Sequence, residues 1–379
     1  MSQKIIFGQG SFDSIGSIVN DLHIHAPLIV TGGASYQLSG ANREIEKSFN
    51  ASAKGLYFSV STKLPETQEV ERGLEFFKKG NFDALIAIGG GCVMDTAKLI
   101  RYLAVQRIDT EDAINNPVQK PDAANIPLIV IPTTAGSGAE ATHFSVLYKG
   151  KTKFSIANTG ILPDIAVVDP NLTLSCLPRL TAISGLDAMS QGIESYWSVN
   201  ATEESRGYAE HAIRLSLEAL IPAIRENKIT SKVNLSRAAL LAGQAINISK
   251  TTAPHALSYP LTACFGIPHG HAVALTLGDF FKLAGEITDA DCNHPQGSLF
   301  VQTTIKELCK LLQAQDPDTA RQKIRNLVAG TGLENQLTRL GVSEKEFDQI
   351  VDDVNLERLS NHPQKLTTER LRSILKNCL

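Results

Sequence analysis

The chain has 379 residues, of which 43% are apolar and 20% are charged, and its formal net charge is −3. This length is enough for two domains with well-buried cores, since domains usually run to about 100–200 residues. The nearly balanced charge excludes the basic field that nucleic-acid binding needs, and it favours a small-molecule partner.

Short apolar runs alternate with amphipathic segments in the first half of the chain. Helical segments such as ETQEVERGLEFFKKG separate the apolar runs, and this alternation predicts parallel βαβ units. The runs that we interpret as β-strands are APLIVTGG (26–33), GLYFSV (55–60), FDALIAIGGG (82–91), IPLIVIPTT (126–134) and IAVVDP (165–170).

Helical periodicity replaces this pattern from about residue 175. A single continuous α/β domain would need further strand-like runs after this point, and the sequence has none. We therefore predict an α/β domain at residues 1–175 and an all-helical domain at 176–379, divided at LTLSCLPRL. The helical segments are SRGYAEHAIRLSLEALIPAIREN, LSRAALLAGQAINI, LFVQTTIKELCKLLQ and EKEFDQIVDDV.

The six cysteines are scattered and form no C-x-x-C pair, which indicates reduced thiols in a cytoplasmic protein. The start of the sequence, MSQKIIFGQGSF, has no long apolar run behind basic residues, and no stretch of about 18 apolar residues occurs elsewhere. We therefore expect neither an export signal nor a membrane-spanning segment.

Two glycine-rich loops follow apolar strands. In GGGCVMDTAK, three glycines (89–91) precede a helix that we predict to begin near Val93 or Met94. Such glycines let backbone N–H groups approach a pyrophosphate at a helix N-terminus, although the spacing is not that of GxGxxG and also fits a simple turn. The second loop, PTTAGSGAE (132–140), also ends a strand, where ligands bind in open α/β sheets.

The first predicted strand carries a signal for the type of dinucleotide. An acidic residue near the end of an early strand accepts a hydrogen bond from the ribose 2′-hydroxyl and repels a 2′-phosphate. Here the strand ends in Gly32 and Gly33, so no carboxylate excludes NADPH. The sequence therefore favours NADP. NAD stays an alternative, and so does the interpretation that these glycines only make a turn.

Side chains suited to a metal ion occur in the second half. Asp187 and Gln191 are four residues apart and share a helix face, and His255 lies fourteen residues before His269, with His271 just beyond. Alone, the aspartate could be a charge near a helix cap, and the histidines could be structural. Their occurrence together with two cofactor-like loops favours a metal site.

These residues resemble the iron-dependent, or group III, alcohol dehydrogenase family, whose relatives include glycerol dehydrogenase and dehydroquinate synthase. The resemblance implies a dinucleotide-binding α/β domain, an all-helical metal and substrate domain, and a catalytic cleft between them. It also implies a homodimer, because KIIFGQGSF resembles the family's dimer-edge hairpin. The matching segments are GGGCVMDTAK, PTTAGSGAEAT, LPDIAVVDP, LPRLTAISGLDAMSQGIE, AGQAINISKTTAPHALSYPL and FGIPHG, in the family's order.

The resemblance assigns site residues position by position. Gly32 falls where NAD-preferring members carry an acidic residue, and Tyr259 replaces a frequent second histidine. The positions that match the family's cofactor-binding residues are Gly32, Gly90, Gly91, Asp95, Thr133, Thr134 and Lys153. The positions that match its four metal ligands are Asp187, Gln191, His255 and His269.

Gln191 departs from the family pattern, which usually has histidine at this position. A glutamine amide oxygen can coordinate Fe²⁺, Zn²⁺ or Mn²⁺, but it binds first-row metals more weakly than imidazole does. The other possibility is that Gln191 hydrogen-bonds substrate or water in a site that has lost its metal. Because Lewis-acid catalysis needs an incomplete protein shell, we expect one divalent metal, Fe²⁺ or Zn²⁺.

The reaction that the resemblance implies is reversible hydride transfer between nicotinamide C4 and a carbonyl carbon, with the metal polarising the carbonyl oxygen. The sequence does not choose among Tyr259, His271 and a water chain as proton donor. Lys250, Thr251 and Thr252 suit a phosphonate or carboxylate, unless the lysine is a solvated helix-end residue and the threonines are caps.

The sequence is therefore compatible with several functions. ESYWSVNATEES and HALSYPLTACFGIPHG resemble the phosphonoacetaldehyde reductase branch of the family, which makes 2-hydroxyethylphosphonate. We accordingly expect an NADPH-dependent reductase of a short anionic aldehyde. The alternatives are a dehydrogenase of neutral alcohols or polyols, a lyase like dehydroquinate synthase, and a non-catalytic nucleotide-binding protein.

Overall fold

The computed structural model describes residues 3–48, 57–116, 118–122, 125–354 and 356–379. The chain forms two compact units, Met1–Leu177 with Lys228–Ser236, and Pro178–Asn227 with Arg237–Leu379. Every named strand of the described residues lies in the first unit, and the second unit is helical. The predicted fold class, an α/β part followed by an all-helical part, is confirmed.

Six strands form a parallel sheet in the order β1-β8-β5-β4-β2-β3, and β6 and β7 form an antiparallel hairpin. All five predicted runs contain a strand of the sheet, although residues 55 and 56 of the second run lie outside the described residues. The strands are β1 (Lys4–Phe7), β2 (Pro27–Gly32), β3 (Tyr57–Val60), β4 (Ala84–Gly89), β5 (Leu128–Pro132), β6 (Phe144–Lys149), β7 (Thr152–Ala157) and β8 (Ile165–Val168).

Helices occupy most of the remaining chain. Those before β8 are α1 (Ile15–Asp21), α2 (Gly33–Leu38), α3 (Ala41–Ser48), α4 (Thr67–Lys79), α5 (Gly91–Gln106) and α6 (Thr110–Asn115). Those after β8 are α7 (Pro178–Trp197), α8 (Glu203–Arg225), α9 (Ile229–Ser249), α10 (Ala253–Phe265), α11 (His269–Gly285), α12 (Ser298–Leu311), α13 (Pro317–Gly330), α14 (Phe347–Asp352), α15 (Leu356–Ser360) and α16 (Thr368–Asn377). Among the described residues, no helix has both the length and the apolar character needed to cross a membrane.

The N-terminal segment KIIFGQGSF is not a hairpin, contrary to the resemblance on which the homodimer was predicted. Lys4–Phe7 pairs in parallel with β8 at the edge of the sheet. Gly10 then adopts a left-handed φ of 75° and leads into a short 3₁₀ helix at Ser11–Ser14, so no second strand folds back. The homodimer stays a prediction.

The central strands are buried on both faces, which explains their continuous apolar sequences. On one face, Ile29 and Ile86 pack with Ile15 of α1 and Ile45 of α3. Strand residues that point to the opposite face, such as Leu85, are equally buried. Continuous apolar runs, and not an alternation of polar and apolar residues, therefore identify these strands in the sequence.

The strand order places both glycine-rich loops side by side at the carboxyl ends of the strands. From β2 the chain goes to β3 on one side and then crosses to β4 on the other, so the order reverses between β2 and β4. Gly32 and Gly89 end these two neighbouring strands, and Gly89 lies opposite Pro132 of β5. Open α/β sheets bind ligands at such a reversal, outside the carboxyl ends of the strands.

His362 is a buried histidine whose ring has apolar neighbours. The ring meets Trp197 and Phe280 at centroid distances of 5.6 Å each. Neither ring nitrogen has a hydrogen-bond partner within the part of the chain that the structure describes. Burial lowers the pKa of His362 to about 3, so the side chain stays neutral in the folded protein at ordinary pH.

Replacement of His362 by Phe is expected to reduce the acid sensitivity of the fold. A histidine in the unfolded chain has a pKa of about 6.5, so below this pH the unfolded chain gains a proton that the folded chain does not. The contribution of His362 to the unfolding free energy is fully present above this pH, and it decreases as the pH falls toward the pKa of the folded state. Between pH 7 and pH 5, the unfolding free energy of the variant should therefore decrease by about 2 kcal/mol less than that of the unmodified protein. Equal pH dependence of denaturant unfolding in both proteins would contradict this.

Candidate metal centre and cofactor loops

The first glycine-rich loop joins β4 directly to the N-terminus of α5. The helix begins at Gly91, two or three residues earlier than predicted, because Gly90 serves as N-cap and its carbonyl accepts a hydrogen bond from the Met94 amide at 3.1 Å. A β-carbon at Gly91 would lie 2.9 Å from Ser137 Oγ, so the loop packs closely against the second loop. The backbone at this helix N-terminus suits a phosphate group.

The second loop and Gly32 lie at the same edge of the sheet. The Thr133 amide donates to the Gly89 carbonyl at 3.0 Å, which fastens the second loop to the first. A β-carbon at Gly90 would lie 3.3 Å from Thr134 Oγ1, and one at Gly32 would lie 3.1 Å from Val93 Cγ2. The structure thus brings together the predicted cofactor-binding glycines and threonines.

Asp95 of α5 contacts the β6–β7 hairpin. Its carboxylate accepts a hydrogen bond from the Val146 amide of β6 at 3.1 Å, and burial raises the pKa of Asp95. Lys153 lies half-buried on β7 of the same hairpin. In this position Asp95 connects α5 to the hairpin, and its contact with a cofactor stays a prediction, as does that of Lys153.

Lys98, one helical turn after Asp95, is a structural residue of this region that the sequence analysis missed. Its ammonium group is fully buried and donates to the carbonyl oxygens of Ala139 at 2.9 Å and Phe144 at 2.7 Å, and to Thr142 Oγ1 at 3.0 Å. It therefore binds α5 to the end of the second loop. Its position in GGGCVMDTAK, three residues after Asp95, is the signal that could have indicated this role.

Three predicted metal ligands meet in the second unit. Asp187 of α7, His255 of α10 and His269 at the start of α11 each offer a ligand atom, and these atoms lie within 4.8 Å of one another. Asp187 Oδ1 is 3.4 Å from His255 Nε2 and 3.9 Å from His269 Nε2. Asp187 lies in the middle of α7 and not in its first turn, so it is not a capping charge.

Glycine at position 270 allows α11 to approach α7 at this point. A β-carbon on Gly270 would lie 2.2 Å from the Ile183 carbonyl oxygen and 2.7 Å from Asp187 Cβ, distances that atoms cannot adopt. Because Gly270 follows His269 directly, this close contact fixes the histidine beside the aspartate. The motif PHGH therefore has a steric as well as a chemical requirement.

Glu194 completes the surroundings of His255, and the sequence analysis missed it. His255 Nδ1 donates to Glu194 Oε1 at 2.5 Å, which leaves Nε2 directed toward Asp187. Burial disfavours a charged ring, but the carboxylates of Glu194 and Asp187 raise the pKa of His255 to about 10. The site thus favours positive charge. Glu194 follows Asp187 by seven residues on one helix face, a spacing that could have revealed it.

The donor set fits a divalent transition metal. One carboxylate oxygen and two imidazole nitrogens are ligands that Fe²⁺ and Zn²⁺ accept, and an incomplete shell leaves room for a substrate. Gln191 lies one turn after Asp187 on α7 and is buried. Its amide oxygen is a chemically suitable fourth donor, and coordination by Gln191 stays a prediction.

The three predicted catalytic residues are in different environments. Tyr259 stacks on His269, with ring centroids 5.8 Å apart, and so lies beside the three-ligand cluster. His271 Nε2 donates to the backbone carbonyl of Glu334 at 2.5 Å, and burial lowers the pKa of His271. Lys250 directly follows α9, adopts a left-handed conformation with φ of 62° and is half-buried.

The adjoining threonines have structural partners. The Thr252 hydroxyl donates to Glu194 Oε2 at 2.9 Å, and the Thr251 carbonyl accepts from Asn361 Nδ2 at 3.0 Å. The expectation that Thr252 offers a hydroxyl to the substrate is wrong in this structure, because the hydroxyl donates its hydrogen bond to the buried Glu194 carboxylate. Lys250 and the Thr251 hydroxyl stay the candidates for contact with an anionic group.

Comparison with known proteins gives one family for both halves of the chain. Residues 2–170 match the family described as iron-containing alcohol dehydrogenase. Residues 181–379 match the C-terminal part of the Fe-containing alcohol dehydrogenase family. The resemblance inferred from the sequence motifs is therefore confirmed.

Individual relatives have different substrates in their names. The phosphonoacetaldehyde reductase of Streptomyces viridochromogenes is 32% identical over 302 residues, which cover 77% of this chain and 75% of that protein. The NAD-dependent methanol dehydrogenase of Bacillus methanolicus is 32% identical over 388 residues, which cover 99% and 97%. A crystal structure of sulfoacetaldehyde reductase from Bifidobacterium kashiwanohense in complex with NAD⁺ has a TM-score of 0.85 at 29% identity and covers 99% and 96%.

Proposed function

The chain belongs to the iron-containing alcohol dehydrogenase family and is an NAD(P)-dependent oxidoreductase, and on this premise we propose that it reduces a short anionic aldehyde to its alcohol. The observation that carries the proposal is the similarity to two reductases whose substrates are named phosphonoacetaldehyde and sulfoacetaldehyde. Both are two-carbon aldehydes that bear an anionic group. Phosphonoacetaldehyde, reduced to 2-hydroxyethylphosphonate, is the proposed substrate.

Lys250 supports an anionic substrate. It lies at the turn between α9 and α10, and α10 carries His255. An ammonium group binds phosphonate or sulfonate as a point charge, and such charge-assisted bonds are stronger than neutral ones. We propose that Lys250 binds the anionic end of the substrate while the aldehyde lies near the metal ligands.

Asp187, His255 and His269, with Gln191 as the fourth donor, would hold the divalent metal. A cation in this position supplies Lewis-acid polarisation of the substrate carbonyl. We propose Tyr259 as the residue that passes a proton to the product oxygen, because its ring stacks on His269, whereas His271 donates to the Glu334 carbonyl. Gly32 leaves the end of β2 without a carboxylate, which supports NADPH as the preferred reductant.

A dehydrogenase of neutral alcohols is the second candidate. The methanol dehydrogenase relative favours it, because that match extends over nearly the whole of both chains. The two functions differ in one chemical respect, which is the charge on the group attached to the reacting carbon. Kinetics with matched charged and neutral aldehydes therefore separate them.

The test is the rate of NADPH or NADH oxidation with phosphonoacetaldehyde, sulfoacetaldehyde, propanal and glyceraldehyde, with and without added Fe²⁺ or Zn²⁺. We expect kcat/KM to be at least about tenfold higher for the anionic aldehydes. Lys250→Ala should raise KM about tenfold for these substrates only, because it removes a charge-assisted contact. Lys282→Ala, at another lysine of the second unit, serves as the control. Equal rates with propanal, or an equal effect of Lys250→Ala on all substrates, would favour the neutral-alcohol function.

A further inference from the structure

We propose that Glu194, Thr252 and Trp197 form a hydrogen-bonded chain that positions His255 for metal binding and thereby sets the affinity of the site. The inference rests on the proposed function, which assigns His255 as a ligand. None of the three residues was predicted from the sequence to position a ligand. They are positioning residues, since they act through the His255 ring.

The first link is the contact of Glu194 with the His255 ring. Glu194 is fully buried, and its Oε1 accepts a hydrogen bond from His255 Nδ1 at 2.5 Å. When the ring is neutral, as a metal ligand must be, this bond fixes the tautomer in which Nε2 carries the lone pair, and it fixes the plane of the ring. A carboxylate in this position also makes the imidazole a stronger donor to a metal.

The second link holds Glu194 itself. Its other oxygen, Oε2, accepts hydrogen bonds from the Thr252 amide at 2.8 Å and from the Thr252 hydroxyl at 2.9 Å. Thr252 precedes α10, the helix that carries His255 three residues later. The carboxylate is therefore held by the same turn that begins the helix of its histidine partner, so neither group can rotate independently.

The third link orients the Thr252 hydroxyl. Trp197 Nε1 donates to Thr252 Oγ1 at 2.9 Å, so this oxygen acts as an acceptor for the indole and must direct its own proton to Glu194. The indole is fully enclosed and packs against Phe281 and His362, at centroid distances of 5.7 Å and 5.6 Å. The hydrogen bonds thus connect a buried aromatic cluster, through Thr252 and the accepting Glu194 carboxylate, to the metal ligand His255.

Two members of the chain lie on α7, the helix that also carries the ligand Asp187. Asp187, Glu194 and Trp197 all belong to this helix, so one rigid element carries a ligand, the carboxylate that orients a second ligand, and the indole that orients the intermediate hydroxyl. Because Gln191 is a weaker donor than histidine, the site depends more on a well-oriented His255. Removal of the chain should therefore weaken metal binding without removing any ligand.

The test is the dissociation constant for Zn²⁺ and Co²⁺, measured on metal-stripped full-length protein by competition with a chromophoric chelator. Glu194→Gln should weaken binding about 10–100-fold, and Thr252→Val and Trp197→Phe by smaller factors in that order. Thr252→Ser retains the hydroxyl and should bind like the unmodified protein. At saturating Co²⁺, the visible absorption bands should shift in Glu194→Gln, because the His255 donor has changed.

Asp279→Asn is the matched control, since Asp279 is a buried carboxylate of the same unit that pairs with Arg325 at 2.8 Å and lies away from the three ligands. It should lower thermal stability and leave metal affinity unchanged. If Glu194→Gln does not fold, the metal affinities of Thr252→Val, Thr252→Ser and Trp197→Phe test the inference by the order in which they fall. Unchanged affinity in these variants overturns the inference, whereas no metal binding by the unmodified protein overturns the proposed metal site as well.

Discussion

Replacement of Asp187 by Asn is expected to reduce kcat/KM for the aldehyde about 10²–10³-fold, comparable to the loss of a main electrostatic group in other active sites. Asp187 is the one anionic donor in the proposed set of four, and its side chain is buried among the two histidines. Asn keeps the size of the side chain but removes the charge that stabilises the cation. The measurement is steady-state kinetics together with the metal content of the purified variant.

The fall in activity should follow the loss of metal. We expect the Asp187→Asn protein to retain its helical circular dichroism, because Asn is nearly isosteric and α7 is a long helix packed on several neighbours. Excess Fe²⁺ or Zn²⁺ should restore part of the rate, since the two imidazole donors are unchanged. Full activity without bound metal would mean that a different group polarises the carbonyl.

Replacement of Gly270 by Ala is expected to have the largest effect among single-methyl changes near the site. The added β-carbon would overlap the Ile183 carbonyl oxygen and Asp187 Cβ, both of which belong to α7. Neither atom can move as a flexible side chain would, so α11 must shift away from α7. We expect a loss of about 1–3 kcal/mol in unfolding free energy and weaker metal binding, because the shift separates His269 from Asp187.

Gly207→Ala is the matched control for this change. Gly207 is an exposed residue of α8, and a β-carbon there would meet nothing within 4 Å. In a helix interior this substitution should stabilise the protein by about 0.5–1 kcal/mol, because alanine loses less backbone entropy than glycine on folding. Chemical denaturation of both variants gives the comparison. Equal stability of Gly270→Ala and the unmodified protein would mean that the close approach of α11 and α7 is not required.

The sheet could be predicted from the sequence because its strands are buried on both faces. Runs such as ALIAIG and LIVIP are apolar throughout, and the strand-glycine-helix order identifies the edge that binds ligands. The segment of β1 was predicted as part of a hairpin, and its parallel pairing with β8 escaped prediction because four residues do not reveal their partner strand. The hairpin β6–β7 was missed because its alternation is partly masked by buried polar residues such as Ser145.

The site was less predictable than the fold. Asp187, His255 and His269 could be selected because their side chains are typical metal ligands, and the family resemblance fixed their combination. Glu194 was missed because an acid on an apolar helix face reveals its role only through a partner sixty-one residues away in the chain. Thr252 was assigned to the substrate because a sequence shows a hydroxyl group but not the direction in which it donates.

The central claim is that Asp187, His255 and His269 hold one divalent metal, with Gln191 as a fourth donor. The most direct measurement is X-ray absorption spectroscopy of protein loaded with one equivalent of Fe²⁺ or Zn²⁺. We predict nitrogen and oxygen neighbours at about 2.0–2.2 Å and the outer-shell scattering of two imidazole rings, reduced to one ring in His269→Ala. A spectrum without imidazole scattering, or one that is unchanged in His269→Ala, would contradict the account.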